Sequence, residues 1–220
     1  MALYEKMTDK LQELLEGSFL VIDKPADWTS HDVVAFVRGC LKIRKVGHLG
    51  TLDPMVTGVL PLMVGRATKL SEQLMKKDKT YVGTMALHEP ITEEELKKQI
   101  KKFIGTITQL PPVKSRVKRQ ERQRTVHDFK ITKMHTKKAE FIVKTEAGTY
   151  IRKLIHDLGE KIGGAHMTAL RRTQAGKFNE KQPEITTIPE FKKLISQWRE
   201  GDSKKLEKIF IPINNLVSTQ

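Results

Sequence analysis

The residue best placed to do chemistry is Asp53. It lies in Gly47-His48-Leu49-Gly50-Thr51-Leu52-Asp53-Pro54, which runs on to Thr57-Gly58-Val59-Leu60-Pro61. Three glycines and two prolines fall within these fifteen residues, so the backbone here is shaped and irregular. Pro54 disfavours α geometry at Asp53 and holds it extended or in a turn. A carboxylate on a glycine-framed loop can act on something outside the protein; an Asp-Pro pair can equally do no more than nucleate a turn. Two distant segments bear on the choice. Tyr81 follows Lys79-Thr80 on a strand pattern, and Gly148-Thr149-Tyr150-Ile151-Arg152 sets an arginine just past a glycine turn at a helix start. An arginine near a carboxylate keeps it ionised and oriented. An aromatic ring beside it offers a flat surface for a base.

Other chemistries find less support. The seven histidines (31, 48, 88, 127, 135, 156 and 166) form no HExxH motif and no tight cluster with carboxylates. His156-Asp157 is a lone HD dipeptide on an amphipathic helix, a weak basis for a metal phosphohydrolase. Gly47-His48-Leu49-Gly50 matches neither a P-loop nor a dinucleotide fingerprint. No metal and no cofactor is implied.

Residues 2–16 pattern as an amphipathic helix on Leu3, Met7, Leu11, Leu14 and Leu15, stopped by Gly17. Phe19 to Ile22 form a short buried strand running into the turn Asp23-Lys24-Pro25. Thr29 or Ser30 caps a helix carrying Val33, Val34, Phe36, Val37 and Leu41. Strands follow at Val59–Val64 and Lys79–Leu87. Thr92-Glu93-Glu94-Glu95 opens a helix that buries Leu96, Ile100, Phe103 and Ile104. Val126–Met134 and Ala139–Thr145 alternate as strands, Tyr150–Ile162 is a helix, and Thr187-Ile188-Pro189-Glu190 opens another. Strands and helices mix without regular alternation, which predicts an α+β fold with a largely antiparallel sheet.

Bulk properties narrow the partners. The 220 residues carry 40 Lys+Arg against 26 Asp+Glu, a net charge of +14 and a pI near 9.8. So large an excess of one sign points to a polyanion, with nucleic acid first. The run from Lys114 to Arg124, KSRVKRQERQR, lacks aromatics and would grip phosphate through Lys114, Arg116, Lys118, Arg119, Arg122 and Arg124. Lys42, Arg44, Lys45, Arg152, Arg171 and Arg172 add to the same reading. No segment approaches the roughly 18 apolar residues of a membrane span, and the N-terminus does not read as a signal peptide. Cys40 is the single cysteine, which rules out an internal disulfide and fits a reducing, intracellular setting.

GHLGTLDP with TGVLP, KTYVG, GTYIRKL and AHMTALRRT, in this order, strongly resemble the TruB family of RNA pseudouridine synthases. PPVKSRVKRQERQRTVHDFKI resembles its archaeal and eukaryotic, dyskerin-like branch, the catalytic subunit of H/ACA ribonucleoproteins. The resemblance covers about residues 18–212 and leaves 1–17 as a helical extension. It implies the pseudouridine synthase fold, a mixed and mostly antiparallel sheet flanked by helices with an RNA cleft. It also implies isomerisation of uridine in tRNA or rRNA without cofactor or metal, with guide RNA and small H/ACA proteins as partners. On it, Asp53 is the catalytic aspartate, Tyr81 stacks on the target base, and Arg152 pairs with the aspartate. Leu170 walls the pocket, His48 lies beside the flipped nucleotide, and Lys24-Pro25 is a structural motif. Leu49 stands where the family has a small residue, and Asp27 replaces a usual glycine, at a position whose left-handed geometry Asp tolerates. The branch continues into a PUA domain, which residues 18–220 do not include. An archaeal-like protein of this kind is cytoplasmic, a eukaryotic one nucleolar.

The rival reading is a non-catalytic RNA-binding subunit. It accounts for the charge but gives Asp53, Tyr81 and Arg152 no reason to occur together.

Overall fold

Helix starts follow from local chemistry. Thr29 caps its helix in a capping box with Asp32, and Thr187 does the same with Glu190, each hydroxyl accepting from the third backbone N–H and each carboxylate answering the cap N–H. The computed structural model describes residues 7–111 and 119–217. In chain order these form α1 (Asp9–Glu16), β1 (Gly17–Lys24), α2 (Ser30–Leu41), β2 (Val46–His48), β3 (Thr57–Gly65), a 3-10 turn at Arg66–Leu70, α3 (Ser71–Met75), β4 (Lys79–Leu87) and α4 (Glu93–Lys101). Next come β5 (Gly105–Gln109), β6 (Arg122–His135), β7 (Lys138–Thr145), α5 (Ile151–Gly159), β8 (Ala165–Ala175) and β9 (Phe178–Asn179). The last are β10 (Ile185–Thr187), α6 (Ile188–Glu200), α7 (Lys204–Lys208), β11 (Phe210–Pro212) and α8 (Asn214–Val217).

The chain divides into two compact units, Met1–Met75 with Gln174–Gln220, and Lys76–Thr173. In the first, β1 pairs antiparallel with β3 along its whole length, from Gly17 opposite Gly65 to Lys24 opposite Gly58. Its other edge takes β11 antiparallel and β10 parallel. β2 pairs antiparallel with β3 and puts His48 opposite Leu62. Phe19, Val21, Val59 and Met63 form the core with Leu49, the bulky residue in the glycine stretch, which is 3% exposed. Leu49 therefore fills core space. Phe36 of α2 meets Trp28 and Phe191 of α6 edge-on, with centroids 5.6 and 6.2 Å apart. Burying Val33, Val37 and Leu41 fully contributes about 1.5–3 kcal/mol each.

In the second unit the strand order is β8-β4-β7-β6-β5. β4 and β7 pair antiparallel with Tyr81 opposite Val143 and Gly83 opposite Phe141. β6 pairs antiparallel with both β7 and β5. α4 buries Leu96 and Ile100, and α5 buries Ile151, Leu154, Ile155 and Leu158. The expected α+β class with mostly antiparallel strands is what the structure has.

Several boundaries differ from the sequence expectations. α1 starts at Asp9 because Thr8 accepts from Leu11 N and caps it there, so Met7 precedes the helix; residues 2–6 of the expected helix lie outside the described residues. α4 stops at Lys101, which leaves Ile104 41% exposed instead of buried. α5 ends at Gly159. β5 and the long β8 were not predicted as strands.

Candidate active site

In the first unit, two buried polar side chains bracket Asp53. Lys24 is fully buried, and its Nζ donates to the carbonyls of Pro25 and Trp28 at 2.6 Å and of Pro54 at 3.1 Å. Ser30, also fully buried, accepts from Leu52 N at 2.8 Å and donates to Leu52 O at 3.2 Å. One side chain thus fixes the residue before Asp53 and the other the residue after it. Asp27 N adds a bond to Pro54 O at 3.0 Å, from a backbone with φ of 65°, the left-handed geometry expected there. Gly50 and Gly58, at φ of 101° and 102°, give the stretch turns that other residues rarely adopt. The turn is closed by Val56 N donating to Asp53 O at 3.0 Å, a bond made by the backbone, and the Asp53 side chain is exposed. His48, at the end of β2, packs against the ring of His31 at 5.3 Å and 78°.

In the second unit, alternation along β4 puts Lys79, Tyr81, Gly83 and Met85 on one face. Leu170 of the neighbouring β8 packs over Gly83: a Cβ there would lie 2.9 Å from Leu170 Cδ1, 2.8 Å from Ala169 O and 2.5 Å from Phe141 Cζ. The last residue of KTYVG therefore makes room for the expected pocket wall, which is 7% exposed. Arg172, two residues on along the same side of β8, is 1% exposed. Burial pushes its guanidinium below the usual arginine value, and Tyr81 opposes that shift. Lys79 is pulled down to about 8 by burial first and by Arg172 second, with Asp78 acting the other way. Arg172, expected among the phosphate-facing cations, is buried and does not belong to that surface.

Arg152 is exposed in the first turn of α5. Its helix start is held by Gln109, whose buried amide accepts from Tyr150 N at 3.0 Å and donates to Tyr150 O at 3.2 Å. Gln109 was missed: a glutamine before two prolines carries no local sign that it clamps a backbone 41 residues on. Of the expected phosphate grips, Lys114, Arg116 and Lys118 lie outside the described residues, and Arg119 is exposed. Arg122 is half-buried in β6. Arg124 is engaged by Glu146 at 3.2 Å and packs on the Gly148 turn. Among the described residues no group of three or more His, Cys, Asp or Glu side chains could hold a metal ion. Asp157 of the HD dipeptide pairs with Lys153 one turn back. Cys40 is half-buried, and burial raises its thiol's pKa.

An exposed carboxylate on a pinned loop, and an aromatic ring beside an apolar wall, are parts suited to handling a flat heterocycle and its sugar. Residues 38–90 and 88–151 match the model of the TruB family pseudouridylate synthase N-terminal domain, and 152–218 that of the tRNA pseudouridylate synthase B C-terminal domain. The chain belongs to the TruB family. It is 43% identical over 209 residues to a probable tRNA pseudouridine synthase B of Nanoarchaeum equitans, and 42% over 208 residues to that of Methanosarcina acetivorans. It spans 59% and 61% of their lengths while 94% of this chain is covered by each. A crystal structure of a Cbf5-Nop10-Gar1 complex contains a chain that matches with a TM-score of 0.88 at 37% identity, covering 96% of this chain and 64% of that one. An H/ACA ribonucleoprotein bound to a substrate RNA containing 2'-deoxyuridine matches with a TM-score of 0.84 at 36% identity, covering 94% and 62%.

Proposed function

We propose that this chain carries the catalytic chemistry of an RNA pseudouridine synthase. Its substrates are uridines of tRNA, the T-loop uridine foremost, or of rRNA selected by H/ACA guide RNA. The observation that carries the reading is Asp53 itself: an exposed carboxylate on a loop fixed from below on both flanks, within the family's motif. A loop that served only as a turn has no need of two buried polar clamps.

The reaction breaks the bond between C1′ and N1 of uridine, turns the uracil and joins C1′ to C5. The C5 proton leaves and N1 gains one, so atoms balance without oxidant or cofactor. Asp53 acts at the sugar, either by attacking C1′ or by taking a neighbouring sugar proton; glycosidases use carboxylates for the corresponding bond cleavage. The freed base must stay in the pocket, which is the work of Tyr81 and Leu170. Arg152 holds the carboxylate ionised, and His48 meets the flipped nucleotide. Flipping the uridine costs a few kcal/mol, which binding of the phosphate backbone offsets. Small H/ACA proteins of the kind present in the matched complexes are the proposed protein partners. Asp53→Asn tests this directly: pseudouridine formation is lost while RNA affinity is kept. A fully active variant removes the assignment.

A further inference from the structure

We propose that Gln109 is the positioning residue for Arg152: its buried amide clamps the backbone on which α5 starts, and so sets the place of the guanidinium two residues on. This rests on the pseudouridine synthase reading, which gives Arg152 its work, and goes beyond it by naming what fixes that arginine.

α1, α2, α4 and α6 each begin on a threonine whose hydroxyl accepts a backbone N–H of the first turn. α5 begins on Tyr150, whose hydroxyl lies at the far end of a ring and does not cap its own helix. The hold comes from the sheet instead. Gln109, the last residue of β5 and 2% exposed, accepts from Tyr150 N at 3.0 Å and donates to Tyr150 O at 3.2 Å. Tyr150 O also receives Leu154 N at 3.0 Å, the first bond of the helix. The carbonyl from which α5 winds is therefore tied to β5. The turn before it is tied to β6: Glu146 N donates to Thr125 O at 2.9 Å, and Arg124 reaches the Glu146 carboxylate at 3.2 Å. Helix phase is what such a tie protects. At about 3.6 residues per turn, a start slipped by one residue swings every side chain of the first turn by about 100°. Arg152 is exposed in that turn, whose positive dipole end disfavours a cation. Local sequence thus neither caps the helix nor favours an arginine there; a buried amide 41 residues away holds the start in place. An amide suits the task because it carries a donor and an acceptor on one flat group.

The test is a double-mutant cycle on the full chain with an RNA it modifies, reading kcat and RNA Kd for wild type, Gln109→Glu, Arg152→Ala and the double variant. The new carboxylate keeps the amide's shape and still accepts from Tyr150 N, but it turns a lone pair toward Tyr150 O. Gln109→Glu should lower kcat roughly 10-fold at unchanged Kd, since small misplacement of a site group is costly. In the Arg152→Ala background the same change should cost less than about twofold, because the group it displaces is gone. Equal losses in both backgrounds overturn the proposal and make Gln109 a fold element. So does wild-type kcat in Gln109→Glu. Native-state hydrogen exchange on the wild-type protein adds a readout that needs no variant. The Tyr150 amide should exchange at least about 100-fold more slowly than an open amide, in step with the buried amides of β7. Exchange as fast as at a frayed helix start refutes the clamp. That result decides the matter where a variant fails to fold. It does so too where wild type makes no pseudouridine, an outcome that would sink the functional reading separately.

Discussion

The two compact units support their candidate residues by different means. Asp53 stands on irregular backbone, and the fold holds that backbone with polar side chains aimed at main-chain groups: Lys24 at three carbonyls, and Ser30 at both the N–H and C=O of Leu52. Tyr81 and Leu170 stand on strands whose ladders pair the backbone, so the support goes to the side chains: the missing Cβ at Gly83 makes room for Leu170. The difference follows from exposure. Asp53 is exposed on a loop, and a loop's orphan backbone groups are expensive unless paired. A side chain on a strand has its backbone paired by the ladder, so only its own packing is left to fix.

Substitutions can break this contrast from either side. The largest effect should come from Lys24→Met, which leaves three carbonyls without their buried donor. It should cost about 1–3 kcal/mol of stability for each carbonyl left unsatisfied, read by chemical denaturation, and depress kcat in whatever protein remains folded. Next is Ser30→Ala, which orphans a backbone pair at roughly 1–3 kcal/mol and should lower kcat more than RNA affinity. Gly83→Ala, on the strand side, should cost a similar 1–3 kcal/mol by overpacking. It displaces Leu170, so it should raise KM as well. If the loop-side variants changed only KM, or Gly83→Ala changed nothing, the division of labour would be wrong.

The smallest effect concerns Lys79. Its folded-state pKa of about 8 lies below the ordinary lysine value of 10.5. Below about pH 8 both states hold the proton and the burial penalty is fully present. Between about 8 and 10.5 the folded state has released its proton while the unfolded state keeps it, so stability rises with pH there. From pH 7 to 9 wild type should gain about 1 kcal/mol relative to Lys79→Met. Parallel stability curves for the two proteins would contradict the buried charge.

What the sequence made legible was what it encodes locally. The capped starts of α2 and α6 could be read because the cap and its partner are three residues apart. β4 could be read because its residues suit a pleated surface. The left-handed turn at Asp27 was likewise in view. What stayed hidden depends on distant partners. β8 carries Arg171 and Arg172 in its middle, so it did not read as a strand. Arg172 read as a surface cation because nothing in its own segment signals that β8 buries it. Lys24 and Ser30 were legible as a turn motif and a cap position, but their grip on the Asp53 loop spans 30 and 22 residues.

The central claim is that Asp53 isomerises uridine in RNA. Its most direct test is incubation of the protein and of Asp53→Asn with unmodified tRNA, with and without H/ACA guide RNA and partner proteins, followed by mapping of every pseudouridine formed. Wild type should form pseudouridine at defined positions, and Asp53→Asn should react at least about 10³-fold more slowly at unchanged RNA affinity. Equal product from both proteins, or RNA binding with no product on any RNA in the presence of all partners, would contradict it.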